Sequence, residues 1–387
     1  MTLTTERDPV RLSQDLIRCP SITPVDEGAL GVLQDYLEAL GFVCHRQVFS
    51  QIGTPDVDNL YARIGQSAPN ICFAGHTDVV PVGDSGDWTA DPFVGEIRDG
   101  LLFGRGASDM KCAIACFAVA AARVLDRRKG NLPGSISFLI TGDEEGPALN
   151  GTKKMLDWLA EQGEKLDHCL VGEPTSADRL GDMVKIGRRG SMNAAIEVYG
   201  TQGHSAYPQL ADNPIPRLLD FLSAVNSEVL DTGTEHFPAT NLEITTVDVG
   251  NPATNVIPAT AKGLVNIRFN DTHTGDSLSA WLQQRRLELA GDSDMSITIS
   301  GEAFLTPPGK LSDLISAAIK DICDVEPDLS TTGGTSDARF IKDHCPVAEF
   351  GMLNATAHKV DEHVRIDEIH TLADIYEKFL DGYFEAA

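Results

Sequence analysis

The sequence predicts an α/β fold with a mixed, mostly parallel sheet flanked by helices, and an inserted ferredoxin-like α+β domain. Short apolar runs alternate with helical patterns before residue 184 and again after residue 301, the order that gives parallel strands joined by right-handed crossovers. Between them the order becomes strand, helix, strand, strand, helix, strand, which is typical of a ferredoxin-like unit. We therefore expect one domain from residues 1–184 and 301–387 and an inserted domain from 185–300.

Each element of this prediction rests on a local pattern. In the first domain, short apolar or β-branched runs predict strands, and apolar periodicity between Gly and Pro breaks predicts helices. The strands are expected at 70–74, 135–141, 166–171 and 347–350, and the helices twice within 9–40 and at 111–124, 152–159, 310–323 and from 367. In the inserted domain, strands are expected at 193–199, 242–249, 262–269 and 295–300, and helices at 214–230 and 276–289.

The composition restricts the class of partner. The formal charge is −26 at pH 7. Because binding to nucleic acid or to an anionic membrane requires clustered Lys and Arg, neither is expected as a partner. No leader pattern or membrane-length apolar run is evident in the sequence, so a cytoplasmic location is the default expectation. The eight cysteines show no zinc-ribbon spacing, and we expect them to be reduced and structural.

Acidic and imidazole side chains follow the predicted strands of the first domain. Glu144 and Glu145 come three and four residues after the 135–141 run, His76 follows the 70–74 run, and Glu173 follows the 166–171 run. The carboxyl ends of parallel strands form the crevice in which α/β proteins bind ligands. These side chains are therefore expected to lie together in a binding site.

Two further residues extend this set. Asp109 precedes a long Ala-rich helix, where it could be a helix cap or a ligand. A cap can be solvated, whereas a ligand must point into the crevice with His76. His358 follows the last predicted strand by a short loop, and Asp78 stands two residues after His76, close enough to orient its imidazole.

The combination of imidazoles and carboxylates indicates metal chemistry. Such ligands suit Zn²⁺, and Co²⁺ can substitute. If one carboxylate bridges, five ligands can hold two metals about 3.5–4 Å apart, and such a pair can promote hydrolysis of an amide. A carboxylate that is not a ligand would then transfer protons, and Glu144 is placed for that role. The five candidate ligands are His76, Asp109, Glu145, Glu173 and His358.

These motifs resemble those of the di-zinc deacylase and aminoacylase/carboxypeptidase family along nearly the whole chain. They are His76-x-Asp78, Gly-x-x-Asp109-Met110-Lys111, Asp143-Glu144-Glu145-Gly146, Gly172-Glu173-Pro174 and the late His358. The resemblance implies a zinc-peptidase-like catalytic domain with two Zn²⁺ per subunit. His76 and Glu173 would complete one site, Glu145 and His358 the other, and Asp109 would bridge them. It also implies Glu144 as general acid/base, Asp78 as the partner of His76, and a cis peptide between Asp109 and Met110.

The same resemblance implies a substrate and an assembly. The expected reaction is hydrolysis of N-succinyl-L,L-diaminopimelate in lysine and diaminopimelate biosynthesis by a homodimer that associates through the inserted domain. His204 would reach the partner's site and stabilise the oxyanion. Residues that resemble substrate contacts are Arg188, Tyr207, Asn255, Arg268, Gly334, Thr335, Ser336 and Asn354. Two alternatives remain: the same mechanism on another acyl-amino acid such as N-acetylornithine, and a non-catalytic, metal-stabilised dimeric binding protein.

Overall fold

The structure is a computed structural model, and it describes residues 7–385. Helices and strands are both distributed along this part of the chain. The helices are α1 (Pro9–Ile17), α2 (Ala29–Ala39), α3 (Cys112–Arg128), α4 (Thr152–Glu161), α5 (Pro214–Ser227), α6 (Gly275–Leu289), α7 (Lys310–Cys323), α8 (Ala338–Ile341) and α9 (Ile366–Glu385). The strands are β1 (Val43–Phe49), β2 (Val57–Ile64), β3 (Asn70–His76), β4 (Ile97–Arg98), β5 (Leu101–Phe103), β6 (Ser135–Thr141), β7 (His168–Val171), β8 (Met183–Lys185), β9 (Gly187–Arg188), β10 (Gly190–Tyr199), β11 (Gly203–His204), β12 (Asn241–Asp248), β13 (Val256–Ile257), β14 (Thr260–Phe269), β15 (Ser293–Gly301), β16 (Phe304–Leu305), β17 (Asp328–Ser330), β18 (Val347–Glu349) and β19 (His363–Arg365).

The chain divides into two units. Of the described residues, the first unit comprises 7–186, 306–330 and 336–385, and the second comprises 187–305 and 331–335. The second unit extends a few residues beyond the expected 185–300 at its C-terminal end, because β16 pairs with β9 within it. Residues 331–335, which were expected in the first domain, also belong to the second unit.

The first unit is built on a mixed, mostly parallel sheet in the order β1-β2-β6-β3-β7-β18-β8-β17. Strands β6, β3, β7 and β18 run parallel to one another, while β2 pairs antiparallel with both β1 and β6. The predicted α/β fold class is confirmed. The parallel arrangement brings the carboxyl ends of four central strands to one edge of the sheet.

Burial explains why the central strands and α3 form the core of the first unit. Every residue of β3 and β6 is buried, as expected for strands covered on both faces. Phe73 of β3 stacks on Phe117 of α3 with ring centroids 4.4 Å apart. The Tyr376 hydroxyl of α9 donates to the Phe350 carbonyl oxygen at 2.6 Å, which fixes the last helix against the end of β18.

The second unit has a four-stranded antiparallel sheet in the order β12-β14-β10-β15. This is the strand order of a ferredoxin-like fold, because the first and third strands lie at its centre. Helices α5 and α6 pack their apolar residues, including Leu218, Phe221 and Leu282, against Ile196 and Ile267 of the sheet. The Asn213 and Thr274 side chains cap the two helices at their N-termini.

Two further findings concern the cysteines and the length of the apolar helices. All eight cysteines are free. Within residues 7–385, none of the helices has both the length and the apolar character needed to cross a bilayer.

Candidate active site

The predicted ligands of the first unit meet at the carboxyl ends of its central strands. His76 is the last residue of β3, Glu145 follows β6, and Glu173 follows β7. These three strands are neighbours in the sheet. The loop after β18 supplies His358, whose φ of 61° lies in the left-handed region, an uncommon conformation for a residue with a side chain.

The Asp109 carboxylate lies between two imidazoles. Its Oδ1 is 3.1 Å from Nε2 of His76, and its Oδ2 is 3.3 Å from Nε2 of His358. His358 Nε2 is also 2.8 Å from Glu145 Oε1, and His76 Nε2 is 3.9 Å from Glu173 Oε1. The N-cap alternative for Asp109 is wrong, because Lys111 is the N-cap residue of α3. The cis peptide between Asp109 and Met110, implied by the family resemblance, is present.

Two overlapping groups of these side chains are compact enough to hold a metal ion. One donor atom each from His76, Asp109 and Glu145 all lie within 4.8 Å of one another, and the same holds for His76, Glu144 and Glu173. Two ligands of a tetrahedral Zn²⁺ at 2.0–2.1 Å from the metal are roughly 3.3 Å apart, close to the separations around Asp109. A shared carboxylate with one imidazole on each oxygen is the arrangement that a bridging ligand requires.

The hydrogen bond of the His76 Nδ1 atom fixes the tautomer of the imidazole. Nδ1 donates to the backbone carbonyl oxygen of Asp78 at 2.8 Å, which can only accept, so in the neutral imidazole the lone pair is on Nε2, the nitrogen that faces Asp109. The Asp78 carboxylate, which was expected to be this partner, is 3.7 Å away. It instead accepts from the backbone N–H groups of Glu144 and Glu145 at 3.3 and 3.1 Å. Asp78 therefore couples His76 to the segment that carries both glutamates.

Electrostatics distinguish the carboxylates from one another. Burial and the negative charge of Glu173 raise the pKa of Glu144 well above its usual range. Although burial opposes ionisation of Asp109, the hydrogen bonds from His358 and His76 hold its pKa below the usual value. Hydrogen bonds to Asp109 and Glu145 raise the pKa of His358 to about 10. Glu144 therefore tends to hold a proton under conditions in which Asp109 is ionised.

Several buried groups around the site were not assigned a role from the sequence. Asp143 accepts from the backbone N–H groups of Leu149 and Asn150, both at 2.8 Å, and so shapes the loop after Glu145. Asp337 is buried, and its charge contributes to the raised pKa of Glu144. The Glu362 carboxylate is fully buried and contacts the segment that carries Asp109. Glu362 stands within the stretch that carries the late motif, but its sequence position does not show that it turns inward.

The predicted substrate contacts fall in both units. In the first unit, the buried Ser336 hydroxyl donates to Glu349 Oε1 at 2.8 Å, and Asn354 is exposed. The second unit holds His204 and the remaining candidates, which are Arg188, Tyr207, Asn255, Arg268, Gly334 and Thr335. Arg188 donates from Nη1 to the Gly334 carbonyl oxygen at 3.0 Å.

His204 and Tyr207 lie together on an exposed segment of the second unit, with ring centroids 5.6 Å apart. The backbone N–H of Ala206 donates to Nδ1 of His204 at 3.1 Å, so the proton of a neutral imidazole is on Nε2. The neighbouring Ser205 N–H donates to the Asn255 carbonyl oxygen at 3.0 Å. His204 therefore presents an N–H donor from the short strand β11, which pairs with β13.

Arg189 was not identified from the sequence. Its Nη1 donates to Asn241 Oδ1 at 2.7 Å, while burial and the nearby charge of Arg268 lower its pKa. Two adjacent guanidinium groups in a chain of charge −26 make a local positive region in the second unit, which suits recognition of carboxylates.

Imidazoles and carboxylates gathered at the carboxyl edge of an α/β sheet define a site of the metal-dependent hydrolase class. The chain belongs to peptidase family M20/M25/M40, whose family model matches residues 72–382. The family resemblance inferred from the motifs is thereby confirmed.

Curated relatives cover almost the whole chain. Succinyl-diaminopimelate desuccinylase of Parvibaculum lavamentivorans is 58% identical over 97% of this chain and 96% of the relative. The enzyme of the same name from Rhodospirillum centenum is 57% identical over 98% of both chains.

Solved structures share the fold at low sequence identity. An M20 family metallo-carboxypeptidase from Sulfolobus solfataricus matches with a TM-score of 0.77 at 17% identity, over 97% of this chain and 99% of the other. A dinuclear metal-binding peptidase of the M20 family from Bacillus subtilis matches with a TM-score of 0.68 at 14% identity, over 98% of each chain.

Proposed function

We propose that the chain hydrolyses N-succinyl-L,L-2,6-diaminopimelate to succinate and L,L-2,6-diaminopimelate, in lysine and diaminopimelate biosynthesis in the cytoplasm. The observation that carries amide hydrolysis is the Asp109 carboxylate between two imidazoles, with the Glu144 carboxyl beside them. The choice of substrate is supported by the name of the curated relatives at 57–58% identity.

Two Zn²⁺ ions per subunit, for which Co²⁺ can substitute, are the proposed cofactors. His76 and Glu173 would hold one, Glu145 and His358 the other, and Asp109 would contact both. When bound, such a pair polarises the scissile carbonyl and acidifies a water molecule. The donor set of imidazole and carboxylate is one that both metals accept.

Glu144 moves the protons of the reaction. As a carboxylate it accepts a proton from the attacking water, and as an acid it delivers that proton to the leaving amine. Its raised pKa suits the second of these steps, because a more basic carboxylate retains the proton until the amine departs. The Asp78 carboxylate holds the Glu144 backbone N–H at 3.3 Å and so keeps the side chain at the site.

Arginines of the second unit are proposed to bind the substrate carboxylates. Arg188 and Arg268 were assigned this role by resemblance, and the neighbouring Arg189 adds to the positive charge beside Arg268. A planar guanidinium binds a carboxylate through two parallel hydrogen bonds. The other proposed contacts are Tyr207, Asn255, Gly334, Thr335, Ser336 and Asn354.

The substrate assignment predicts a preference that steady-state kinetics can measure. With Zn²⁺ or Co²⁺ present, we expect kcat/KM for N-succinyl-L,L-diaminopimelate to exceed that for N-acetylornithine by about 10²-fold or more, because the acetyl group lacks the carboxylate that the proposed arginines would bind. A preference for N-acetylornithine would contradict the substrate and keep the mechanism.

A homodimer formed through the second unit is also proposed, with His204 stabilising the oxyanion in the partner's site. His204→Ala is expected to lower kcat by about 10²- to 10³-fold, as loss of one oxyanion donor does, while sedimentation shows an unchanged dimer. Mixing this variant with Glu144→Gln tests the exchange of residues between subunits. Recovery of activity in the mixture supports the proposal, and a mixture with no recovery argues for a site made by one chain.

A further inference from the structure

The Glu362 carboxylate uses both oxygens to bind one short segment. Its Oε1 accepts from the backbone N–H groups of Ser108 and Asp109 at 2.8 and 3.1 Å. Its Oε2 accepts from the Gly106 N–H at 3.1 Å and from Arg105 Nη1 at 2.7 Å. The Glu362 side chain is fully buried. These bonds all go to residues 105–109, the segment that ends at the proposed bridging ligand.

Arg105 extends this contact to two other loops. The side chain is 2% exposed, and its Nη1 donates to the Lys359 carbonyl oxygen at 3.1 Å, next to His358. Its Nη2 donates to the Pro81 carbonyl oxygen at 3.4 Å, in the loop that follows His76. Two loops that carry proposed ligands, Asp109 and His358, and the loop that follows His76 are therefore tied together by one buried ion pair.

The loop that precedes Glu362 has an uncommon backbone conformation that depends on support from nearby contacts. His358 and Asp361 have φ values of 61° and 55°, in the left-handed region. Residues that carry side chains persist there only when surrounding contacts determine the conformation. The His358 side chain is 51% exposed, so packing around the imidazole contributes little, whereas the buried Glu362 carboxylate fixes the end of the loop four residues later.

We propose that Glu362, with Arg105, is a positioning residue that holds the Asp109 segment and the His358 loop at the separation their shared metal requires. This inference rests on the proposed metal-dependent function. Removing a partner of this kind, which holds the ligands without touching the metal, commonly lowers metal affinity or activity by about 10- to 100-fold. The role differs from that of an ordinary structural ion pair, because the backbone N–H of a ligand residue is itself one of the groups held.

Glu362→Gln is the direct test. The four groups around the carboxylate are all donors, so an amide places its NH2 against donors in either orientation. We expect calorimetric titration of Co²⁺ into the metal-free protein to show one of the two metals bound about 10- to 100-fold more weakly than in the unchanged protein. The visible absorption of bound Co²⁺ should change as well, and excess metal should partly restore activity.

A second variant separates positioning from charge neutralisation. Glu362→Gln leaves the buried Arg105 charge unpaired, which can destabilise the fold. In the double variant Arg105→Gln/Glu362→Gln this charge is absent, so we expect the melting temperature to recover relative to the single variant while metal affinity stays low. Recovery of both quantities would mean that Glu362 only neutralises Arg105, and the proposal would be wrong.

Asp231→Asn is the matched control. The Asp231 carboxylate also accepts backbone N–H groups, from Gly233 and Thr240, but it lies in the second unit. We expect its loss to lower stability without changing the Co²⁺ spectrum or affinity. If the Glu362 variants bind two Co²⁺ ions with unchanged affinity and spectrum, the positioning role is refuted. If the unchanged protein already binds fewer than two ions or hydrolyses no amide, the proposed function itself fails.

Discussion

Replacing Glu144 by glutamine is expected to leave a folded protein that still binds two metal ions per subunit and to lower kcat by about 10²- to 10⁴-fold, the usual contribution of a general acid/base. The amide has nearly the shape of the carboxyl group but cannot accept and return a proton. Because Glu144 is crowded by Glu173 and its pKa is raised, loss of its charge should not destabilise the metal-free protein.

Metal content and kinetics must be measured together in this experiment. Glu144 also lies within ligand distance of His76 and Glu173, so a fall to one metal per subunit would identify it as a ligand instead. Full activity in the variant would exclude the proton-transfer role. Glu161→Gln is a suitable control, since Glu161 is exposed at the end of α4, and we expect it to change neither quantity.

Asp109→Asn is expected to impair metal binding itself, by reducing the metal content from two ions per subunit to at most one. The Asp109 carboxylate lies within 3.1 and 3.3 Å of the two imidazoles, and an amide would turn its NH2 towards one of them. Loss of a catalytic metal removes several kcal/mol of transition-state stabilisation, which corresponds to a decrease in kcat of about 10²-fold or more. Metal analysis after dialysis, combined with kinetics, measures both effects.

Comparison of Glu144→Gln with Asp109→Asn tests whether one carboxylate transfers protons while the other binds metal. A variant at Asp109 that retains both metals would show that the carboxylate does not bridge. Asp182→Asn provides a control of the same chemistry, because Asp182 accepts three backbone N–H groups of the first unit, from residues 177–179. We expect that control to bind two metals and to keep its kcat.

The central strands and the residues that follow them were predictable because each gives a local signal. Strands β3 and β6 are short runs rich in apolar and β-branched residues. His76 is the last residue of β3, and Glu145 follows β6 by four residues. The edge strand β1 was not predicted, because Val43–Phe49 is partly exposed and carries His and Arg. A strand that buries little has no apolar pattern by which to recognise it.

The contacts that organise the site depend on the tertiary fold. Glu362 bonds to Asp109 across 253 residues, and in sequence its carboxylate is indistinguishable from one that faces water. For the same reason the spacing in His76-x-Asp78 suggested a contact through the carboxylate, whereas the backbone carbonyl makes the hydrogen bond. Local patterns predict which residues reach the crevice, but long-range packing decides which atom of each is used.

The position of β18 in the sheet has a consequence for the order in which the two units fold during synthesis on the ribosome. β18 pairs with β7, yet the contiguous segment 187–305 of the second unit is synthesised between them. Since domains generally fold as they emerge, the four-stranded sheet of the second unit can form while the first unit still lacks β18, α9 and His358. If His358 holds one of the two proposed metal ions, that ion can bind only after the last part of the chain has been synthesised. A chain released before His358 would have a folded second unit and an incomplete first unit.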